Sequence, residues 1–283
     1  MRNDGLEKLL QSKKYRDVCP DTVRRIWDEC SRKYKKARDA DRAAREALHG
    51  ITGAFLTPSE VSECAWAMQA WHAGGHTEAQ LENILNKHAS TRERLPLEAL
   101  DALYARIFQV TGRPGRILDL ACGINPLYLG ARGLDTTGVD ISGAAVSLID
   151  AFGQAYGAPV RAVCADLLCP NALPRECFDL CLLFKVLPLL ERQRTGAALE
   201  VMSAVHAQYL VASFPTRTLG GRNVGMAAHY AEWMEGHLPA NRSVVDRFET
   251  ENELFYVLKE KRDESIPGIL SNAVDDSQTA RRT

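Results

Sequence analysis

Residues Arg116 to Pro126 read R-I-L-D-L-A-C-G-I-N-P, and the reading of this stretch decides the fold. Ile117, Leu118, Leu120 and Ala121 form a short, nearly continuous apolar run, the pattern of a strand buried on both faces of a parallel sheet. The run stops at Gly123, and Pro126 suits the first turn of a following helix. A glycine at a strand-to-helix turn lets a ligand approach the backbone beside a helix N-terminus. An ordinary βα turn shares these features, so the stretch alone identifies no ligand. It lacks the further glycines of G-x-G-x-x-G, which argues against a dinucleotide, and it lacks G-K-[ST], so it is not a P-loop.

Working outward, T-T-G-V-D-I-S ends a second strand at Asp140, where an acid can accept both hydroxyls of a ribose. Charge-assisted bonds of that kind contribute roughly 1.5–3 kcal/mol each. A third strand, Val160–Ala165, ends in Asp166-Leu167, and a fourth, Phe178–Phe184, ends at Lys185. Glycine after the first strand and acids after the second and third resemble the order found in S-adenosylmethionine (SAM) methyltransferases. The resemblance implies an α/β fold: a Rossmann-like class I methyltransferase sheet, with the glycine turn facing the methionine part. The first acid would then meet the ribose and the second the adenine.

Composition places few limits. The chain has 283 residues, 46 % hydrophobic and 25 % charged, as in ordinary soluble proteins. No stretch approaches eighteen uninterrupted apolar residues, and the polar start Met1-Arg2-Asn3-Asp4 lacks a secretory core, so a cytoplasmic protein is expected. The eight cysteines form no C-x-x-C pair, which argues against a zinc site. Net charge is −1, yet the charge is unevenly placed. Gln11 to Arg38 holds ten Lys or Arg, among them Lys13, Lys14, Arg16, Arg24 and Arg25, against four acids. Such a run is either a solvated face or a surface that tracks phosphates; Arg45, further along, joins the candidates.

The first 112 residues read as a helical domain, 113–261 as the sheet domain, and 262–283 as a disordered tail. Asp21 is expected to cap a helix whose apolar face is Val23, Ile26, Trp27, Cys30 and Tyr34. Leu48–Leu56 reads as a loop. Thr57-Pro58-Ser59-Glu60 is a capping box opening a helix, and Ser90 with Glu93 suggests another cap. Leu97 to Phe108 carries a helical apolar stripe. After the fourth strand a single helix is expected from Glu191 to about Gln208, then a fifth strand, Tyr209–Phe214. Arg242–Phe248 and Glu253–Lys259 read as an antiparallel pair closing the sheet.

With these pieces assembled, the chain resembles the aminoglycoside-resistance methyltransferases of the Arm/Rmt/Sgm type, which methylate N7 of guanine 1405 in 16S ribosomal RNA. The resemblance spans about Tyr15 to Lys259. It is carried by L-H-G-I-T-G-A-F-L, S-T-R-E-R-L, D-L-A-C-G-I-N-P, A-D-L-L, L-F-K-V-L-P-L-L-E, F-P-T-R-T-L-G-G-R and E-N-E-L-F-Y-V-L. It implies that Arg94 holds the SAM carboxylate in a bidentate fork, with His88, Ala89 and Ser90 at the same end and Phe55 approaching from the helical domain. Ala121 and Gly123 would pass under the methionine, Asp140 would take the ribose, and Asp166 with Leu167 the adenine. Phe184 and Gln193 would flank the pocket, and Lys185 and Glu191 would lie at the catalytic face. Arg217, Arg222 and Met226, in and after the loop following the fifth strand, would hold RNA. The implied partner is 16S rRNA within the assembled 30S subunit, met by a monomer without metal or membrane.

The chemistry implied agrees with what the sequence omits. Guanine N7 carries an in-plane lone pair and no proton, so its methylation needs no general base, only positioning and electrostatics. The fourth strand is not followed by [DNS]-P-P-[YFW], used on exocyclic amines, nor by the cysteine needed at a pyrimidine C5. In A-form RNA the N7 edge lies in a deep, narrow groove, so the base must be exposed by opening or flipping. A small-molecule SAM methyltransferase would share the sheet without the basic helix. A non-catalytic RNA-binding relative would be expected to have lost Gly123, Asp140 or Asp166.

Overall fold

The computed structural model describes residues 2–52, 56–217 and 225–261. Phe55, Arg222 and the 262–283 segment lie outside them. The chain opens with α1 (Arg2–Leu10), α2 (Pro20–Lys33) and α3 (Ala37–Thr52). These helices close a small core of their own, in which Leu9, Val23, Ile26, Trp27, Ala44 and Leu48 meet. Cys19 is the N-cap of α2 and Pro20 fills its first position, so Asp21 sits in the first turn, where it complements the helix dipole without capping. Tyr34 falls just past the helix end. Leu48–Thr52, expected as loop, continues α3, because buried Ala40, Ala44 and Leu48 recur every four residues and outweigh exposed Gly50.

Next come α4 (Pro58–Ala73), α5 (Glu78–Leu85), α6 (Ala89–Arg92) and α7 (Leu97–Thr111). The capping box of α4 is formed, with Glu60 N–H donating to Thr57 Oγ1 at 3.3 Å and Thr57 N–H to Glu60 Oε2 at 2.7 Å. The cap of α6 is His88, not Ser90. The sheet domain runs β1 (Arg116–Leu120), α8 (Asn125–Ala131), β2 (Asp135–Asp140), α9 (Gly143–Tyr156), β3 (Val160–Cys164) and β4 (Phe178–Phe184). It continues with α10 (Leu187–Gln193), α11 (Ala197–Ala204), β5 (Ala207–Pro215), α12 (Met226–Gly236), β6 (Arg242–Glu249) and β7 (Glu253–Glu260). The single helix expected after the fourth strand is thus split, with left-handed Gly196 at φ +84° between its halves.

The seven strands lie in the order β3-β2-β1-β4-β5-β7-β6. β1 to β5 are parallel, and β7 runs antiparallel to both neighbours. Strand order reverses between β1 and β4, the place where open α/β sheets leave a crevice at their carboxyl ends. Alternate residues serve the two faces. Ile117, Leu180, Leu182 and Phe255 pack toward α4, α5, α7, α8 and α9. Leu118, Cys181, Leu183 and Tyr256 pack toward α10, α11 and α12. The helices α4, α5 and α7 therefore share the main core, and packing divides the chain after α3, not at residue 112. No helix among the described residues is long and apolar enough to cross a membrane.

Arg242 fixes the far corner of this sheet. It is fully buried and donates to the carbonyls of Met202 (3.1 Å), Ala207 (3.1 Å) and Val205 (2.7 Å), where α11 turns into β5. Arg242→Met keeps an apolar stem and strips those carbonyls of their donor. Unfolding free energy from urea titration should fall by about 3 kcal/mol or more; a fall under about 1 kcal/mol would mean the corner is held by packing alone.

Candidate active site

The crevice begins at the end of β1. Ala121 (φ +54°) and Gly123 (φ +53°) are both left-handed, which bends the backbone so that the Gly123 N–H points to the end of β2. There it donates to Asp140 Oδ2 at 2.8 Å, while Ser142 N–H donates to Oδ1 at 2.8 Å. Asp140 thus staples two successive strand ends together. Burial pushes its carboxyl above the ordinary value, against the pull of the backbone donors from Gly123, Ser142 and Ile141. Glycine at 123 also leaves room for a neighbouring ring. A Cβ there would stand 2.4 Å from Cε1 of His88, whose ring lies over the turn and meets Thr91 Oγ1 at 3.2 Å.

Behind the turn lies a buried network. Asn125 Nδ2 donates to Asp119 Oδ2 at 2.6 Å and to Tyr104 Oη at 2.8 Å, and the Tyr104 hydroxyl returns a bond to Asn125 Oδ1 at 3.1 Å. Asp119 is pushed up to about 7, chiefly by burial, with the Asn125 bond and the Arg94 charge opposing. Sequence reasoning quoted Asp119 within the first strand without singling it out. An acid inside an otherwise apolar buried strand was the available signal.

At the β4 end a compact ionic cluster forms. Arg94 donates Nε to Glu253 Oε1 at 2.8 Å and Nη2 to Oε2 at 3.0 Å, with its guanidinium 4.6 Å from the Phe184 ring centroid. Ser213 Oγ donates to Glu253 Oε2 at 2.6 Å. Lys185, left-handed at φ +57°, places its ammonium 3.3 Å from Glu253 Oε1 and against Glu93. Burial raises the Glu253 carboxyl, but the charges of Arg94 and Lys185 outweigh it and hold the group below the usual range. The expected bidentate fork of Arg94 is therefore occupied by Glu253 through Nε and Nη2. Glu253 was not anticipated, since it reads as the first residue of an edge hairpin. Ala89 and Ser90 open α6, half-buried beside His88.

The third acid is also paired. Asp166 Oδ1 accepts from Leu168 N–H at 2.9 Å, and Oδ2 accepts from Arg25 Nε at 3.0 Å. Arg25 Nη2 also donates to Gln193 Oε1 at 2.9 Å. The structure thus turns Arg25 inward, away from the RNA-facing role expected of it, because it sits at the edge of the apolar stripe of α2. Leu167, beside it, packs on the core below the sheet. The Glu191 carboxylate accepts from Gly196 N–H at 2.7 Å and Ala198 N–H at 3.4 Å. Through those amides it caps the start of α11.

The remaining cations expected at RNA are outward. Lys13, Lys14, Arg16 and Arg24 are exposed; Arg24 pairs with Asp21 at 2.9 Å, and Arg16 lies 3.7 Å from Asp17. Arg45 is half-buried and held by Asp41 at 2.9 Å. Arg217 pairs with Glu251 at 2.9 Å, and Met226 starts α12, half-buried.

His88 gives this site a pH dependence. Burial first, and then the Arg94 charge, pull its imidazole down to about 4. Below about pH 6.5 the unfolded chain gains a proton there that the folded chain refuses, so stability drains away as pH falls toward 4. The unfolding free energy of wild type minus that of His88→Gln should shrink by roughly 3 kcal/mol between pH 7 and pH 4. A difference that stays constant with pH in urea titrations would show that His88 titrates normally.

Comparison with known proteins agrees with this architecture. The family model described as ribosomal RNA methyltransferase (FmrO) matches residues 11–257. A 16S rRNA (guanine(1405)-N(7))-methyltransferase of Serratia marcescens is 42 % identical over 258 residues, 91 % of this chain and 98 % of its own. The crystal structure of 16S rRNA methyltransferase RmtF in complex with S-adenosyl-L-homocysteine superposes with a TM-score of 0.83 at 43 % identity, covering 92 % of this chain and 98 % of that one. The 16S rRNA methylase RmtB gives 0.80 at 39 % identity, covering 92 % and 99 %. On a family match that runs from just after α1 to within β7, the chain belongs to the FmrO family of ribosomal RNA methyltransferases.

Proposed function

We propose that this chain transfers the methyl group of SAM to N7 of guanine 1405 in 16S rRNA, acting in the cytoplasm as a monomer on the assembled 30S subunit. The observation that carries the reading is Gly123, bare of a side chain and hydrogen-bonded to Asp140, with Asp166 at the next strand end. The target base is that of the Serratia marcescens relative.

The residues fit the cofactor. Asp140 and Asp166 each accept protein donors on both oxygens, and a carboxylate has about four lone-pair sites, so capacity remains for ribose hydroxyls and for an adenine amino group. Arg94 Nη1 is free of protein partners among the described residues and offers one nitrogen to the cofactor's carboxylate. When bound, SAM supplies an electrophilic methyl on a sulfonium. The protein's part is to aim the guanine lone pair at that methyl and exclude water. As N7 gains the methyl, positive charge passes to the base and no proton moves. Lys185, clamped by Glu93 and Glu253, is locally neutralised, so it does not oppose that charge. Asp119 and Glu253, buried behind the turn and the cluster, favour positive charge nearby whenever ionised.

RNA would be met by the exposed Lys13, Lys14, Arg16 and Arg24, with Arg217, Arg222 and Met226 around the loop after β5. A folded rRNA surface suits cations distributed this way better than a short oligonucleotide does. Methylation followed by mass spectrometry should therefore locate one N7-methylguanine in purified 30S subunits and little in a naked decoding-site hairpin. Equal rates on both substrates would count against extended docking.

The methyl adds a fixed positive charge where polycationic drugs bind. Two cations 4 Å apart repel by about 1 kcal/mol in water and several times more where water is excluded. A sensitive bacterium expressing the chain should resist gentamicin and kanamycin but not unrelated ribosomal drugs, and Asp140→Asn should abolish the protection. Soluble wild-type protein without gentamicin resistance would defeat the assignment.

A further inference from the structure

We infer that Arg25, carried by the docking helix α2, is a positioning residue for the adenine end of the cofactor. It aligns the Asp166 carboxylate and the Gln193 carboxamide so that together they select a 6-amino purine. The inference rests on the reading of Asp166 as the adenine acceptor and deepens it.

Arg25 is unlike its neighbour on the same helix. The Arg24 side chain is 53 % exposed, whereas that of Arg25 is 14 % exposed and that of Asp166 only 5 %. All three guanidinium nitrogens are used. Nε and Nη2 meet Asp166 Oδ2 at 3.0 and 2.9 Å, Nη2 meets Gln193 Oε1 at 2.9 Å, and Nη1 meets Glu29 Oε1 at 3.2 Å. With Leu168 N–H on Asp166 Oδ1 at 2.9 Å, both carboxylate oxygens have a fixed donor, and the plane of the group cannot rotate freely. The carboxamide is fixed as well: Oε1 faces Arg25, and Nε2 lies 3.4 Å from Leu189 O. A rigid planar fork is suited to this double alignment, and a flexible ammonium is not.

The base of α2 is anchored beside the other acid. Cys19 N–H donates to Ile141 O and Gly143 N–H to Asp17 O, both at 2.7 Å, and Val18 bridges Ser142. These contacts adjoin Asp140. From Pro20 to Arg25 the helix rises about 8 Å, which carries it from the ribose acid to the adenine acid. The helix that bears Arg24 outward thus forms one wall of the cofactor pocket.

The test uses the full chain and two ligands, S-adenosylhomocysteine and S-inosylhomocysteine, in which a 6-oxo group replaces the 6-amino group. Calorimetry should show wild type preferring the adenosyl ligand by about tenfold or more. Asp166→Asn should collapse that preference. Arg25→Ala should collapse it comparably, and Arg25→Lys, which keeps the charge and loses the fork, should retain part of it. Thermal melts check folding; if Arg25→Ala does not fold, Arg25→Lys decides, with a loss of at least about threefold expected. Preference kept in the folded Arg25 variant while Asp166→Asn loses it overturns the inference and leaves the adenine assignment standing. Preference kept in Asp166→Asn overturns that assignment, and the inference with it.

Discussion

Four carboxylates buried along one edge of the sheet, Asp119, Asp140, Asp166 and Glu253, each less than a tenth exposed, set the terms for the rest of the molecule. A buried carboxylate without donors would cost several kcal/mol, so every layer of the fold must send one. Asn125 comes from α8, the Gly123 and Ser142 amides from the turns after β1 and β2, Arg25 from α2, Arg94 from beyond α6, and Ser213 from β5. The pocket is consequently also the fastening that ties helices and sheet into one body. Neither Asp119 nor Asp140 is bonded to a cation: a carboxamide reaches the first and backbone amides the second, and burial pushes both above the ordinary value, Asp119 up to about 7.

Much of this was legible in the chain itself. Apolar runs marked β1, β4 and β5, because strands covered on both faces leave little room for polar residues, while β2 and β3 were legible from the acids that follow or end them. Asp140 and Asp166 were legible because they stand at strand ends, where a parallel sheet presents its ligand-facing edge. Periodicity was silent on partners. It showed which face of α2 is apolar, but Arg24 and Arg25 look alike in sequence, and only a carboxylate 141 residues away draws one of them inward. Glu253 was missed for the same reason, since Arg94 lies 159 residues from it. The cap that Glu191 provides was not legible, because the break at Gly196 that gives α11 its own N-terminus leaves little mark in the sequence. Periodicity could not say on which side of a boundary α4, α5 and α7 belong, because their apolar stripes fit a sheet as well as one another.

The first three helices reconcile two demands. Their outer surface stays cationic and hydrated, with Lys13, Lys14, Arg16 and Arg24 exposed, while their inner edge joins the pocket through residues 17–19 and Arg25. Surface cations of this kind act over a Debye length of about 8 Å at physiological salt, so any attraction they exert weakens as salt rises. The buried Arg25 is shielded from such screening. One helix therefore carries a salt-screened cation, Arg24, and a shielded one, Arg25, separated by a single residue step.

The link between residues 17–19 and residues 141–143 has a consequence for how the protein is made. The N-terminal helices leave the ribosome before their docking surface on β2 and β3 has been synthesised. Because Leu9, Val23, Ile26, Trp27 and Leu48 already close on one another, that segment can hide its apolar faces while it waits. Its attachment to the sheet is a contact of long sequence separation, the kind that forms slowly. The pocket is thereby finished by the oldest part of the nascent chain arriving late, and a truncated chain ending before residue 141 would carry an N-terminal unit whose partners in that link are missing.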